Sequence, residues 1–362
     1  MVGKTEESAQ MTTEGNIKIK NIFHMLAYAF KDVLNERKYK DLGLEDFEHQ
    51  SDLLATILIK GIDSQMKRGM NKGYVPTSEC KNCLSGKINL SASIKKMTTT
   101  ESKLICEYDD FTANIEVNKI LKTTMHLLLK DENLSPNIKK KLRKTLLFFG
   151  DIDLVNPKDV RWSSIHYHRN NMTYRLLLYI CELVINRALM TERGRRKNLS
   201  EYFDDQKLFN LFQNFVNRYY YVHYRKYWVK CKGIRWDLDD ERDYLLPQMN
   251  TDVMLESEKS TLIIDTKFYT ERIVTNYRGS ELLSSDNLYQ MYAYVKNKAS
   301  EWKRNDPHRV DGLILYAKTE VDENLDVEYS ISGNRIFVKT LNMNDDWENI
   351  EIRLKGFVEL LY

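Results

Sequence analysis

Between Pro247 and Tyr269, three side chains have the types and spacing for metal-assisted hydrolysis of a phosphodiester. Asp265 and Lys267 are two apart in a run that is apolar through Leu262, Ile263 and Ile264. Side chains two apart on a strand leave the same face, so the carboxylate and the ammonium project together. Upstream, Val253 and Leu255 alternate with other residues as far as a polar turn over 256–260, the pattern of a half-buried hairpin. If the hairpin is in register, Asp252 comes alongside the pair. Two carboxylates on a rigid sheet suit a hard cation such as Mg2+, which takes oxygen ligands and keeps waters for a nucleophile. A lysine beside them can orient or deprotonate the attacking water and offset charge on the phosphate. The competing reading is that charges at strand ends are simply solvated.

The segment after the hairpin bears on that choice. Asp286 to Tyr294 reads as a helix able to cover the site, with Gln290 and Tyr294 four residues apart and so on one face. By themselves these two would pass for a polar cap and a core aromatic.

Taken together, Asp252, Asp265-Thr266-Lys267 and the Gln290 to Tyr294 pair resemble the PD-(D/E)xK nuclease core, the last pair being similar to the extra motif of its RecB-like branch. More closely, the chain resembles the McrC family, nuclease subunits of McrBC modification-dependent restriction systems. The resemblance runs through Ile19–Ala29, Gly86–Ile88, Leu211–Val216 and Thr251–Tyr269, in that order. It implies an Mg2+-dependent endonuclease acting on double-stranded DNA that carries modified cytosine. Asp252, Asp265, Lys267 and Gln290 are the implied catalytic set, and Asp252, Asp265 and Thr266 the implied metal ligands. It further implies a partner, a McrB-like AAA+ subunit that hydrolyses GTP, onto whose ring the N-terminal part docks, with residues 74–106 as the candidate projection. The alternatives are an ordinary small β-domain for 74–106 and, for the whole chain, a catalytically degenerate regulatory subunit or a stand-alone nucleic-acid-binding module.

One position departs from the PD-(D/E)xK pattern. Many such enzymes carry a glutamate on the helix before the first core strand, and the Leu211–Val216 helix has Gln213 there. A neutral amide is a poorer ligand for a second cation. Glu201, Asp204 and Asp205 lie upstream as possible substitutes, with no spacing argument that selects one.

At 362 residues the chain exceeds what one core usually supports, so two domains are expected. Hydrophobic residues make up 42% and charged residues 30%, with a mean hydropathy of −0.53, values that speak against a membrane-embedded chain. No apolar run reaches spanning length and the first residues lack the apolar segment of a secretory signal, so a cytoplasmic location is expected. No Gly-rich phosphate loop of the Walker type is present, which separates this chain from the nucleotide hydrolases themselves.

With 55 basic against 52 acidic residues, binding to nucleic acid has to come from local patches. Lys139–Lys144 and Arg193–Lys197 are two, each equally readable as a solvated helix face. Tyr219–Trp228 mixes aromatic and basic residues in a way that could stack on bases, although a strand with one buried face is the cheaper expectation. Cys80 and Cys83 have the spacing of half a zinc site, but no second ligand pair is evident, and a reduced, metal-free pair is expected.

The expected fold class is α+β: a mixed helical and small-β N-terminal domain, followed by a restriction-endonuclease-like α/β core. Residues 1–15 read as a disordered tail, 16–195 as the partner-docking domain and 196–362 as the nuclease domain, divided at the basic, Gly-containing run that ends near Ser200. Helices are expected at 22–34, 53–68, 117–130, 136–149 and 174–190, with short strands over 74–106 that include 87–94. Gly312–Tyr316 reads as a buried strand, followed by a hairpin through Gly333 and a closing helix over 345–361.

Overall fold

The structure is a computed structural model that describes residues 13–14, 17–34, 42, 45, 47–96, 103–165, 172–192, 205–229, 233–240, 244–267, 273–275, 281–302, 308–318 and 325–362. It is an α+β protein. The tail over 1–15, apart from residues 13 and 14, and the basic run Arg193–Lys197 lie outside the described residues.

The chain divides into two compact units, 1–48 with 196–362, and 49–195. This differs from the expected N-terminal block over 16–195, because the first helix belongs with the C-terminal unit. A ribbon of β1 (Thr13–Glu14) and β2 (Ile17–Lys18) leads into α1 (Ile19–Ala29) and the short α2 (Lys31–Leu34). In α1, Ile22, Phe23, Met25 and Leu26 form a buried stripe that needs an apolar partner. Asn21, also buried, donates through Nδ2 to the carbonyls of Met343 (2.8 Å) and Asp345 (2.9 Å), and His24 stacks on Trp347 at 4.1 Å. These long-range contacts place α1 where local pattern could not.

The unit over 49–195 begins with α3 (Gln50–Arg68), followed by β3 (Gly73–Lys81), β4 (Lys87–Ile88), α4 (Leu90–Lys95) and β5 (Leu104–Thr112). The strands form an antiparallel sheet in the order β3-β5-β4. The expected strand over 87–94 is only two residues long. Asn89 then caps α4 by accepting from the Ala92 amide at 2.9 Å, so a capping residue ends the strand and starts a helix. At Gly86 a Cβ would sit 2.4 Å from the Glu107 carbonyl oxygen, and the backbone φ is +67°, so glycine is required there. The exposed rings of Tyr74 and Phe111 meet at 5.1 Å on this sheet. Cys80 and Cys83 are exposed, free thiols on its rim.

Helices α5 (Glu116–Lys130), α6 (Pro136–Leu146) and α7 (Met172–Glu192) complete the unit. Buried Asp52 on α3 accepts from the Ser135 amide and hydroxyl at the start of α6, at 2.9 and 2.6 Å. The basic residues of α6 mostly face solvent while Leu142 and Thr145 are buried, the arrangement of a solvated amphipathic face.

In the other unit, α8 (Asp205–His223) is followed by β6 (Trp228–Val229), β7 (Val253–Glu256), β8 (Ser260–Lys267), β9 (Ile273–Thr275), β10 (Glu281–Leu283), α9 (Ser285–Ser300), β11 (Arg309–Lys318), β12 (Asp326–Ile331), β13 (Asn334–Asn342) and α10 (Trp347–Val358). Six strands form one mixed sheet, β12-β13-β11-β8-β7-β6, with β8 parallel to β11 and antiparallel to β7. The hairpin is therefore not half-buried as its alternation suggests: every residue of β8 is buried. A long crossover inserts β11 beside β8, and α8 and α9 both contact β8, leaving no solvent face.

Three further details complete the unit. Tyr219 to His223 is the last part of α8 and not a strand; Tyr219 and Tyr220 are buried, and Tyr220 donates to the Leu354 carbonyl at 2.9 Å. At Gly312 of β11 a Cβ would lie 2.4 Å from Met291 Sδ, so the missing side chain lets α9 approach the sheet closely. The β12–β13 turn passes through Ser332 (φ 51°) and Gly333 (φ 84°), a two-residue left-handed turn that matches strand twist.

Candidate active site

The register of the hairpin decides the site. Val253 pairs with Ile264, which places Asp252, the residue before β7, opposite Asp265. Asp265 and Lys267 leave one face of β8, and Lys267 Nζ lies 2.7 Å from Asp265 Oδ2. This is a buried ion pair, and among the described residues no donor other than Lys267 meets this oxygen.

Asp252 is held on every side. Its Oδ2 accepts from both the amide and the hydroxyl of Thr266, at 2.6 Å each, and its Oδ1 accepts from Gln213 Nε2 at 2.5 Å. Its backbone carbonyl accepts from Asn217 Nδ2, also at 2.5 Å. Gln213 and Asn217 are one turn apart on α8, whose other face buries Leu211, Phe212, Phe215 and Val216. Gln213, which departs from the expected acid, is thus part of the site. The one signal for Asn217 in the sequence is its place four residues after Gln213, on the same face of α8.

From the other side, α9 brings Gln290. Its Oε1 accepts from Lys267 Nζ at 2.8 Å, and its Nε2 donates to the Tyr294 hydroxyl at 2.9 Å. Tyr294 donates in turn to the Asn250 carbonyl at 3.1 Å, tying α9 to the loop before β7. Asn287, Met291, Tyr294 and Val295 are buried, one face of a helix laid on the sheet. The structure therefore brings Asp252, Asp265, Thr266, Lys267 and Gln290 together. Glu201 and Asp204, and the side chain of Asp205, lie outside the described residues.

Electrostatics follow from burial. The Asp265 carboxyl is pushed up to about 6, chiefly because its charged form is desolvated and further because Asp252 repels it; Lys267 pulls the other way without winning. Burial raises Asp252 as well, against the Thr266 hydrogen bonds, Lys267 and Gln213. Two carboxylates that both resist ionisation are short of positive charge.

This is where the implied cation can be tested against the residues. A buried Asp265 carboxyl met among the described residues only by Lys267, beside a second carboxylate and raised above its ordinary value, fits a hard ion that takes one or two carboxylates and keeps several waters. Thr266 donates its amide and hydroxyl to Asp252, and its carbonyl is the backbone oxygen that it could offer to an ion. Among the described residues no group of three or more His, Cys, Asp or Glu is placed to hold a metal, which argues against a site built wholly from protein ligands. A cavity of about 850 Å3 lies at the Ser260 end of β8, away from Asp265 and Lys267, and its lining mixes Lys226, Lys259 and Arg309 with Glu256 and Glu258. It is not the centre of this chemistry.

Fold and site together describe an α+β protein whose polar centre is two carboxylates, a lysine and two amides at one end of a mixed sheet. A family model described as the McrBC 5-methylcytosine restriction system component matches residues 3–304, and the chain belongs to that family. It is 26% identical over 345 residues to the type IV methyl-directed restriction enzyme EcoKMcrBC of Escherichia coli K12, covering 93% of this chain and 96% of that protein. Among solved structures, a half-complex of Thermococcus gammatolerans McrB AAA+ hexamers with bound McrC aligns with a TM-score of 0.49 at 15% identity, over 99% of this chain and 78% of that one. A Thermococcus gammatolerans McrBC complex aligns over 51% of this chain and 59% of that one, with a TM-score of 0.35 at 17% identity. No helix among the described residues is long and apolar enough to cross a membrane.

Proposed function

We propose that the chain is the DNA-cleaving, McrC-type subunit of a methylcytosine-dependent restriction complex, hydrolysing phosphodiesters with Mg2+. The carrying observation is the convergence of Asp252, Asp265 and Lys267 at one end of buried β8, two buried carboxylates beside a single ammonium. Asp252, Asp265 and the Thr266 carbonyl would hold the ion, which supplies a Lewis acid for the phosphate and lowers the pKa of a bound water. Lys267 carries its ammonium between Asp265 and Gln290, a fixed position from which it orients the attacking water and offsets charge on the phosphate. Gln290, steadied by Tyr294, keeps the ammonium there. Gln213 and Asn217 fix Asp252, so its carboxylate needs little reorganisation when substrate arrives.

The partner in this reading is an AAA+ subunit of the McrB type, and its GTP hydrolysis and a substrate of double-stranded DNA with modified cytosine are what the family resemblance implies. The unit over 49–195 is the part we assign to docking, with the β3-β5-β4 sheet as its projection. A cytoplasmic location goes with this role. The test is incubation with a McrB-type GTPase, GTP, Mg2+ and 5-methylcytosine DNA. Wild type should cleave and Asp265→Ala should not, while both stimulate GTP turnover. Stimulation without any cleavage by wild type would instead support the regulatory-subunit reading.

A further inference from the structure

Helix α8 has a second polar stripe beside the one that holds Asp252. Beyond Gln213 and Asn217, the helix and the start of β6 gather Arg218, Tyr221, Arg225 and Trp228. The Arg225 guanidinium carbon lies 4.4 Å from the centre of the Tyr221 ring and 4.9 Å from that of Trp228. Arg218 approaches the Tyr221 ring at 5.2 Å. The two rings meet edge to face at 4.8 Å and 85°, a rigid corner on which Arg225 rests while remaining exposed.

Stacking uses the π face of a guanidinium and leaves its in-plane N–H donors pointing outward, in the fork geometry that matches phosphate. Among the described residues no carboxylate pairs with Arg225. A solvent-facing arginine normally loses side-chain freedom on binding an anion; one already held on two rings loses less. From Gln213 to Tyr221 the helix rises about 12 Å at 1.5 Å per residue. That is three to four base-pair steps at about 3.4 Å each. With a formal net charge of only +3, whole-molecule attraction is too weak to hold a polyanion, so such local sites must do so.

We propose that the Tyr221–Arg225–Trp228 stack is a phosphate subsite for the DNA backbone to one side of the scissile bond, set about 12 Å along α8 from the Gln213 that holds Asp252. This rests on the nuclease reading above and extends it to substrate positioning. Because the stack touches backbone and not base edges, it strengthens binding alike at all sequences.

The test uses the full-length chain without divalent metal, so that nothing is cleaved, and a fluorescent duplex followed by anisotropy over a range of salt. Arg225→Gln is expected to weaken binding about three- to tenfold at low salt and to reduce the slope of log affinity against log salt by about 1. Tyr221→Ala keeps the charge and removes half of the corner; it should weaken binding while leaving the slope unchanged. Lys355→Gln, an exposed charge on α10, is the control for bulk charge and should match wild type. Wild-type affinity and slope in Arg225→Gln, or an equal loss in Lys355→Gln, would overturn the subsite and leave the nuclease reading standing. Absence of any salt-dependent binding by wild type would likewise overturn the subsite, while cleavage with the partner GTPase remains the separate test of the nuclease reading.

Discussion

Replacing Asp265 with asparagine should make the metal-free protein more stable near pH 8 while removing its chemistry. The carboxyl rises from 3.8 to about 6 on folding, so the folded state binds its proton more tightly than the unfolded chain does. Stability from such a group is fully present below the unfolded value, near pH 4, and is lost as pH rises through about 6. At roughly 1.4 kcal/mol per pH unit, the ionised carboxylate costs the folded state about 3 kcal/mol at pH 8. Asp265 is only 3% exposed, so solvent screening takes little from that figure. Asparagine escapes the cost, and because the pull of Lys267 is already contained in the shifted value, a net gain of about 2 to 3 kcal/mol is expected. For a chain of 362 residues, at about 2.1 cal/mol/K of unfolding entropy per residue, that is roughly 3 to 4 °C in melting temperature. The assay is thermal or urea unfolding of both proteins in EDTA from pH 4 to 8, repeated with Mg2+. The difference should vanish near pH 4, and Mg2+ should raise the stability of wild type only. An Asp265→Asn protein no more stable than wild type at pH 8, or equally stabilised by Mg2+, would refute the view of Asp265 as a buried carboxylate in want of a cation.

Three other outcomes follow from the geometry. Lys267→Arg should fail to restore the cleavage lost in Lys267→Ala, because a planar fork cannot fill the single point between Asp265 Oδ2 and Gln290 Oε1; single-turnover cleavage at wild-type rate would remove Lys267 from the chemistry. Gly312→Ala drives a methyl into Met291 on α9, and should cost about 1 to 3 kcal/mol in urea unfolding and slow cleavage by displacing Gln290. A fragment over 49–195 should fold cooperatively by calorimetry and raise the GTP turnover of the partner, whereas one over 1–195 should aggregate by light scattering, because it exposes the apolar stripe of α1.

Much of the site could be read from local pattern. Asp265 and Lys267 share a face because strand periodicity is 2, and Gln290 and Tyr294 share one because helix periodicity is close to four; both relations survive any arrangement of the elements around them. The turn at Gly333 and the buried strand at Gly312 follow from the same short-range rules. Tyr219 to His223 is helical where a strand is expected, because a short aromatic run has no period of its own and suits either element; the helix is set by continuity with the buried stripe of Leu211, Phe212, Phe215 and Val216.

What the sequence determined by itself is the chemistry on offer: two aspartates, a lysine and an amide on elements whose period sets which side chains lie together. Tertiary structure alone decided three things. It inserted β11 beside β8 and so buried the hairpin on both faces, which raises Asp265 to about 6. It brought Gln213 and Asn217 to Asp252 from 35 or more residues away in the chain. It carried α1 to the C-terminal unit across more than 300 residues. The physical reason is common to all three. Periodicity marks which face of an element must be buried, but an apolar face accepts any apolar partner of suitable shape, and the choice among partners is made only when the whole core packs at once.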